Sequence, residues 1–316
     1  MERFKSILVG VGLSDGDQLV SDTMPVSSRE AVARAVWLAK TTSAEVTFFL
    51  VLPTWAPNLD AETQLLLQEG HGGRTVFDHA KEVMARLVDE AKREGIQANS
   101  RVAIGKRWVE IIRQQIRKKH DLVIVGGRES KADAPFLTGT TAIKLLRKCP
   151  CAVWVTKPAP DPTISSILVA HDLRPVGDLA MELGCSMAQL HNAELHVLHA
   201  AEYPEHDSVL SSSVSAESAA SYRLKAEQYI EAQLKKYEVP KPVRVHFSTR
   251  TPDFAIWHCI EDHEIELLVM GTIGRSGIRG FITGNSAERL LPLVPCSILA
   301  VKPAGFQSPV TLVHAS

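Results

Sequence analysis

Short apolar runs alternate with amphipathic stretches along this chain, and the alternation is run through twice. In the first pass, Ser6–Gly10 and Val46–Leu52 are continuous apolar runs of strand length, and Ser28–Thr42 between them has helical periodicity with a serine placed to cap it. Thr75–Gly95 is a long charged helix ending at glycine, followed by a short strand at Ala98–Ile104 and a helix at Val109–Lys119. Asp121–Val125, a glycine loop, a helix at Thr140–Lys148 and the strand Cys151–Thr156 complete the pass. The second pass repeats the order with Ser166–Ala170, Pro175–Leu190, Glu194–His199, Ala216–Tyr237, Val243–Ser248, Asp253–Asp262, Glu266–Met270, Ala287–Val294 and Cys296–Val301. Apolar strands alternating with amphipathic helices predict an α/β fold, a parallel sheet covered on both faces. Right-handed crossovers then make it open and doubly wound.

The repetition extends to individual residues. Leu122–Pro158 and Leu267–Pro303 align without a gap, setting Gly126, Phe136, Gly139, Pro150 and Cys151 against Gly271, Phe281, Gly284, Pro295 and Cys296. Each pair is 145 positions apart (271 − 126). Earlier in the chain Ser6-Ile-Leu-Val returns as Ser166-Ile-Leu-Val, and Ala44-Glu-Val as Ala193-Glu-Leu at a separation of 149 (193 − 44). The first copy therefore carries extra residues in the polar stretch Leu13–Ser28, which reads as a loop. The length of 316 residues suits two domains, expected at 1–158 and 164–303 with a stiff proline-rich linker at 159–163. A tail at 304–316 has no counterpart in the first copy.

Composition narrows the partners. With 35 basic and 36 acidic residues the net charge is −1, which speaks against broad electrostatic binding of nucleic acid or of anionic membrane. No apolar run is long enough for membrane insertion, and the first residues lack the order of a signal peptide. Five cysteines are too few and too scattered for a disulfide framework, which favours a reducing, cytoplasmic setting.

Ligands of an open parallel sheet bind at the carboxyl ends of its strands, where strand order reverses. In the second copy those ends carry Ala170, His171 and Asp172 after the first strand, Ala200 after the next, and Met270 with Gly271-Thr-Ile-Gly274 after a third. Gly284-Asn285-Ser286 follows and opens a helix at Ala287. Glycines let backbone N–H groups approach phosphate oxygens, the helix start adds partial positive charge, and Arg275 supplies a cation. A carboxylate at Asp172 can accept hydrogen bonds from a ribose or an adenine amino group.

Together, Gly271-x-x-Gly274, the nine residues to Gly284-Asn285-Ser286, and Asp172 after the first strand resemble the universal stress protein family, over nearly the whole chain as two tandem flavodoxin-like domains. The resemblance implies ATP, with or without Mg²⁺, as cofactor. It implies Ala170, His171, Asp172 and Ala200 at the nucleoside, and Met270, Gly271, Gly274, Arg275, Gly284, Asn285, Ser286 and Ala287 around ribose and phosphates. Asn285 departs from the hydroxyl residue usual there, putting a side-chain hydroxyl contact in question unless Ser286 supplies it. The first copy departs further: Gly12 stands for Asp172 and Glu129 for Gly274, so no ATP is expected there, although Gly139-Thr140-Thr141 keeps a helix start. The resemblance further implies pairing of the two domains through their last strands as an intramolecular pseudo-dimer, compatible with a homodimer through another interface. Its functional expectation is stress-related signalling or scaffolding with at most slow ATP hydrolysis, Asp172 being the sole candidate base. The alternative is a stress scaffold that uses no ATP and whose nucleotide loops are vestigial; its protein partners leave no mark in the sequence.

Other patterns read blandly. Gly10-Val-Gly12-Leu-Ser-Asp-Gly16 mimics a dinucleotide fingerprint with its third glycine displaced and no helix at once after it, and no Walker A pattern occurs. Cys149-Pro-Cys151 lacks the spacer of redox motifs, and Ser211–Ser215 reads as a loop. Histidines crowd the second copy. His196 and His199, three apart on one strand, face opposite ways, and His258 and His263, five apart, do not share a helix face. Cys259 beside them is a zinc-type donor, but satisfied or surface histidines are the expectation here.

Overall fold

Runs such as Ile7-Leu-Val9, Leu122–Val125, Ile167–Val169 and Leu267–Met270 have no polar face to turn to solvent, so they sit inside a sheet with helices on both sides. In the computed structural model, which describes residues 4–14, 20–53, 76–127, 139–159, 163–200, 216–272, 290–291 and 294–312, each run is a buried central strand. The chain divides into two units, Met1–Pro162 with Gln307–Ser316, and Thr163–Phe306. The tail from Gln307 thus belongs to the first unit, where Arg113 Nε donates to the Thr311 carbonyl at 3.2 Å.

The first unit contains β1 (Ser6–Val11), α1 (Val26–Thr42), β2 (Glu45–Leu52), α2 (Val76–Arg93), β3 (Ala98–Ile104), α3 (Arg107–Lys118), β4 (Leu122–Gly126), α4 (Thr140–Lys148) and β5 (Ala152–Thr156). Its strands are parallel in the order β3-β2-β1-β4-β5. The second contains β6 (Ser166–Ala170), α5 (Pro175–His191), β7 (Glu194–Ala200), α6 (Ala216–Leu234), β8 (Arg244–Ser248), α7 (Pro252–Asp262), β9 (Leu267–Gly271) and β10 (Ser297–Val301). Its order, β10-β9-β6-β7-β8, is the same doubly wound sheet, again parallel throughout. Strand order reverses between β1 and β4 in one unit and between β6 and β9 in the other. The expected elements therefore hold, most with ends shifted by a residue or two. The helix expected at Ala287–Val294 lies mostly outside the described residues.

One expectation fails. The serine cap of α1 is absent: the helix starts two residues earlier, with Pro25 at the cap position and no side-chain cap. Proline pre-sets a helix-compatible φ, and Ser28, now inside the first turn, accepts no N–H of the helix start. Its Oγ instead accepts the Gly12 N–H at 2.9 Å, fastening the end of β1 to α1.

The amino ends of the inner strands are tied alike in both units. Asp121 accepts N–H groups of Lys5 (2.7 Å) and Ser6 (3.2 Å), and Glu266, 145 positions later, accepts the Ser165 N–H (2.5 Å). At the opposite ends, the glycines closing β4 and β9 let a helix come close. A Cβ on Gly126 would stand 2.3 Å from the Ser27 carbonyl oxygen, and one on Gly271 would stand 2.9 Å from Val176 Cγ2. Ser27 and Val176 are equivalent first-turn residues of α1 and α5, so both units make the same close approach.

Gly126→Ala should therefore lower the stability of the chain by about 1–3 kcal/mol, because backbone must move to admit the methyl. Gly271→Ala should cost less, because the methyl meets a side chain. Urea denaturation checks both, and a Gly126→Ala loss under about 0.5 kcal/mol, the range of an ordinary surface change, would contradict the close-approach reading.

Candidate functional site

Both units build the same crevice, where the strand order reverses, and line it differently. In the second unit the reversal lies between β6 and β9, whose carboxyl ends are Ala170 and Gly271. Of the expected site residues, Ala170, His171, Asp172, Met270 and Gly271 come together at these neighbouring ends, and Ala200 ends the adjoining β7, whose Leu198 pairs with Ala170. Met270 is buried, and Gly271 makes the space that Val176 fills. Gly274, Arg275, Gly284, Asn285, Ser286 and Ala287 lie outside the described residues, as does Glu129 in the first unit.

Asp172 is exposed, and its Oδ1 accepts the Arg174 N–H at 3.2 Å in a local turn closed by Leu173 at φ 57°. The turn leans on the start of α5: a Cβ on Gly177 would lie 2.6 Å from Asp172 Oδ1 and 3.1 Å from its backbone nitrogen. The first unit has the reciprocal arrangement. Gly177 corresponds to Ser28, and Asp172 to Gly12, so one unit pairs a carboxylate with glycine and the other pairs glycine with a hydroxyl. The carboxylate is held beside the first turn of α5, where the helix dipole favours negative charge. In the first unit the same spot is closed by Ser28.

Beneath the turn is a polar network that sequence reasoning missed apart from His171 itself. His171 is buried, and its Nδ1 accepts the Leu173 N–H at 2.9 Å, so in the neutral ring Nε2 carries the proton, 3.3 Å from Asp178 Oδ1. Tyr229, on α6, donates to both oxygens of Asp178 at 3.0 and 2.9 Å. His199 is fixed in tautomer, since a carbonyl only accepts: its Nδ1–H donates to the His171 carbonyl at 2.9 Å, and in the neutral ring Nε2 accepts from Tyr222 at 2.9 Å. The ends of β6 and β7 and the helices α5 and α6 thus meet around the Asp172 turn through buried and part-buried contacts. Asp178 had one readable signal, an acidic residue in the first turn after Pro175; Tyr222 and Tyr229 had none.

Near β10, Lys302 is buried and its Nζ donates to the Thr272 hydroxyl just after β9. The remaining histidines separate as the strand period requires. His199 faces α6, whereas His196 stacks on His246 and meets His263 at a tilt (ring centroids 5.2 and 4.7 Å). His258 goes elsewhere, against Phe254 and Trp257. His196, His246, Cys259 and His263 form one cluster, brought together by the register of β7 with β8 and by the end of α7. Helix spacing did not apply, because His263 is the residue after α7 and not on its face.

Two parallel, doubly wound units of one order, with their crevices at the strand reversal, define a tandem α/β protein of the kind that receives ligands at strand ends. The sequence pattern of the Universal stress protein family matches residues 3–157 and 163–302, and the chain belongs to that family. It is 24% identical over 330 residues to Universal stress protein E of Photorhabdus laumondii, covering 98% of this chain and 98% of that one. To Universal stress protein E of Escherichia coli K12 it is 26% identical over 336 residues (99% and 98%). The fold is shared with a putative universal stress protein of Pseudomonas aeruginosa, with TM-score 0.69, 21% identity and coverage of 96% and 94%. No helix among the described residues is long and apolar enough to cross a membrane.

Burial pushes the His171 pKa below the ordinary histidine value of 6.5, against the opposing pull of Asp178 and Asp172. On acidification the unfolded chain takes up a proton that the folded one refuses, so the stability this group confers is complete above pH 6.5 and is lost as pH falls below it. His120, His196 and His246 are shifted the same way, chiefly by burial. Urea midpoints should therefore fall between pH 7 and pH 5. His171→Asn, which keeps an acceptor for the Leu173 N–H, should make that fall shallower; an unchanged slope would contradict a buried neutral His171.

Proposed function

We propose that the second unit binds ATP at the ends of β6 and β9, that the first unit does not, and that the chain acts as a nucleotide-dependent signalling or scaffolding protein of the stress response. The observation that carries this reading is the exchange of Asp172 and Gly177 for Gly12 and Ser28 at equivalent crevices. An exposed carboxylate with one oxygen engaged by Arg174 has a second to offer, and a carboxylate is the acceptor that ribose hydroxyls or an adenine amino group require. The contacts among His171, Asp178 and Tyr229 favour it further by bracing the turn from below, which reduces the ordering cost of binding. For the phosphates, the support is the pattern Gly271-x-x-Gly274 with Gly284-Asn285-Ser286 at a helix start. The role of Gly271 in this reading is indirect, since it lets α5 pack close and so sets the crevice wall.

The packing role of Gly271 also serves the other reading, a scaffold without ATP, because Gly126 does the same in the unit expected to be empty. The two readings part in one experiment. ATP, AMP and inorganic tripolyphosphate are titrated into the full chain, into Asp172→Gly/Gly177→Ser, and into Gly284→Asp. The double change copies the first unit's pairing and should fold. The ATP reading expects the double variant to lose about tenfold or more for ATP and AMP, the equivalent of about 1.4 kcal/mol, while tripolyphosphate is little changed. Gly284→Asp should weaken ATP and tripolyphosphate together. No ATP binding by the wild-type chain, or equal losses for nucleotide and tripolyphosphate in the double variant, would contradict the proposal.

A further inference from the structure

We infer that the second unit contains a structural zinc site made by His196 of β7, His246 of β8, Cys259 of α7 and His263, the residue that follows α7. One ligand-type atom from each lies within 4.8 Å of all the others, with His196 and Cys259 buried and His246 and His263 half-buried. Tetrahedral zinc, with bonds of about 2.0–2.1 Å to nitrogen and 2.3 Å to sulfur, spaces its donors by about 3.3–3.7 Å. Donor shifts of about an ångström therefore close the site. His196 Nδ1 and His246 Nε2 are already 3.0 Å apart, their rings nearly parallel at 8°. His263 approaches both, with centroids 4.7 Å from His196 and 4.8 Å from His246.

The donor set selects the ion. Three imidazoles and one thiol, with no carboxylate among them, suit a borderline-soft dication of tetrahedral habit and disfavour Mg²⁺ or Ca²⁺. A dication bound here would take the place of the Cys259 thiol proton, so binding releases a proton and tightens as pH rises. Beyond the ring of His196, Glu194 Oε2 stands 3.9 Å from Nε2, near but not within hydrogen-bond distance, and also faces Arg244 Nη2 at 3.5 Å.

The fold does not by itself create this cluster. By strand register and by the 145-residue repeat, the equivalent positions of the first unit are Thr47, Arg101, Gln114 and Lys118. There Arg101 Nη1 donates to Gln114 Oε1 at 2.7 Å, an ordinary hydrogen bond that joins the same strand and helix. One copy joins strand to helix with that bond; the other gathers four metal donors at the same place. With four protein ligands the site is closed, so its work is to pin β7, β8 and the end of α7 together, not to catalyse. It is independent of the nucleotide reading.

The test uses the full chain, stripped of metal with a chelator and titrated with Co²⁺ as a spectroscopic stand-in for zinc. The expected result is one equivalent bound, with tetrahedral d–d bands and a thiolate-to-cobalt charge-transfer band, both removed by Zn²⁺, and a melting temperature that Zn²⁺ raises. Cys259→Ser should abolish the charge-transfer band and weaken binding by about tenfold or more. His263→Ala, at a half-buried position, should weaken binding while leaving the metal-free chain folded, and carries the test if the cysteine variant does not fold. Absence of the charge-transfer band in the wild-type chain overturns the inference. So does a band that survives Cys259→Ser, or one that is lost in Cys149→Ser/Cys151→Ser, whose sulfur atoms lie 3.6 Å apart in the first unit.

Discussion

At the carboxyl end of β4 and of β9 a helix start lies so close to the strand that an added Cβ would press on backbone in one unit and on a side chain in the other. Gly126 faces Ser27 and Gly271 faces Val176. This contact fixes where α1 and α5 begin relative to the reversal of strand order, and hence the floor and wall of each crevice. The rest of the site depends on it. With the helix start held there, the next residue of its first turn, Ser28 or Gly177, is placed against the loop leaving the first strand, where its size decides what that loop can carry. A hydroxyl takes the Gly12 N–H and closes the loop; glycine leaves room for the carboxylate of Asp172.

Duplication has thus kept the contacts that make the fold and changed the residues that line the crevice at the strand ends. Asp121 and Glu266 tie the amino ends of the central strands in the same way, and the two strand orders coincide. The divergence is local and paired, Asp172 with Gly177 on one side and Gly12 with Ser28 on the other. Paired change is what packing demands, because a Cβ at Gly177 and the Asp172 carboxylate exclude each other at 2.6 Å. The same logic separates the Arg101–Gln114 bond of the first unit from the histidine and cysteine cluster of the second.

Much of this was legible in the sequence because the determining signals are local. The apolar runs at Ile7–Val9 and Ile167–Val169 admit only a buried strand, and the gap-free repeat from Leu122 and from Leu267 carries a whole strand, loop, helix and strand. Asp172 was found because it follows a strand whose end must face the crevice. The serine cap of α1 was misread because Pro25 sets the helix start first, which frees the Ser28 hydroxyl for a bond across the loop. Asp178, Tyr222 and Tyr229 were missed because their partners are 51, 23 and 51 positions away and no local rule links them. The grouping of His196, His246, Cys259 and His263 was missed for a related reason. Helix spacing was applied to His258 and His263, whereas the cluster is assembled by the register of β7 with β8 and by a residue beyond the end of α7.

The central claim is that one of two equivalent crevices is a nucleotide site, and its most direct test is location. Hydrogen–deuterium exchange of the full chain, with and without saturating ATP, reports on both crevices in a single experiment. The account predicts added protection in peptides spanning Ala170–Arg174, with none in those spanning Gly10–Ser14. Protection at Gly10–Ser14, or at neither crevice while ATP is bound, would contradict it.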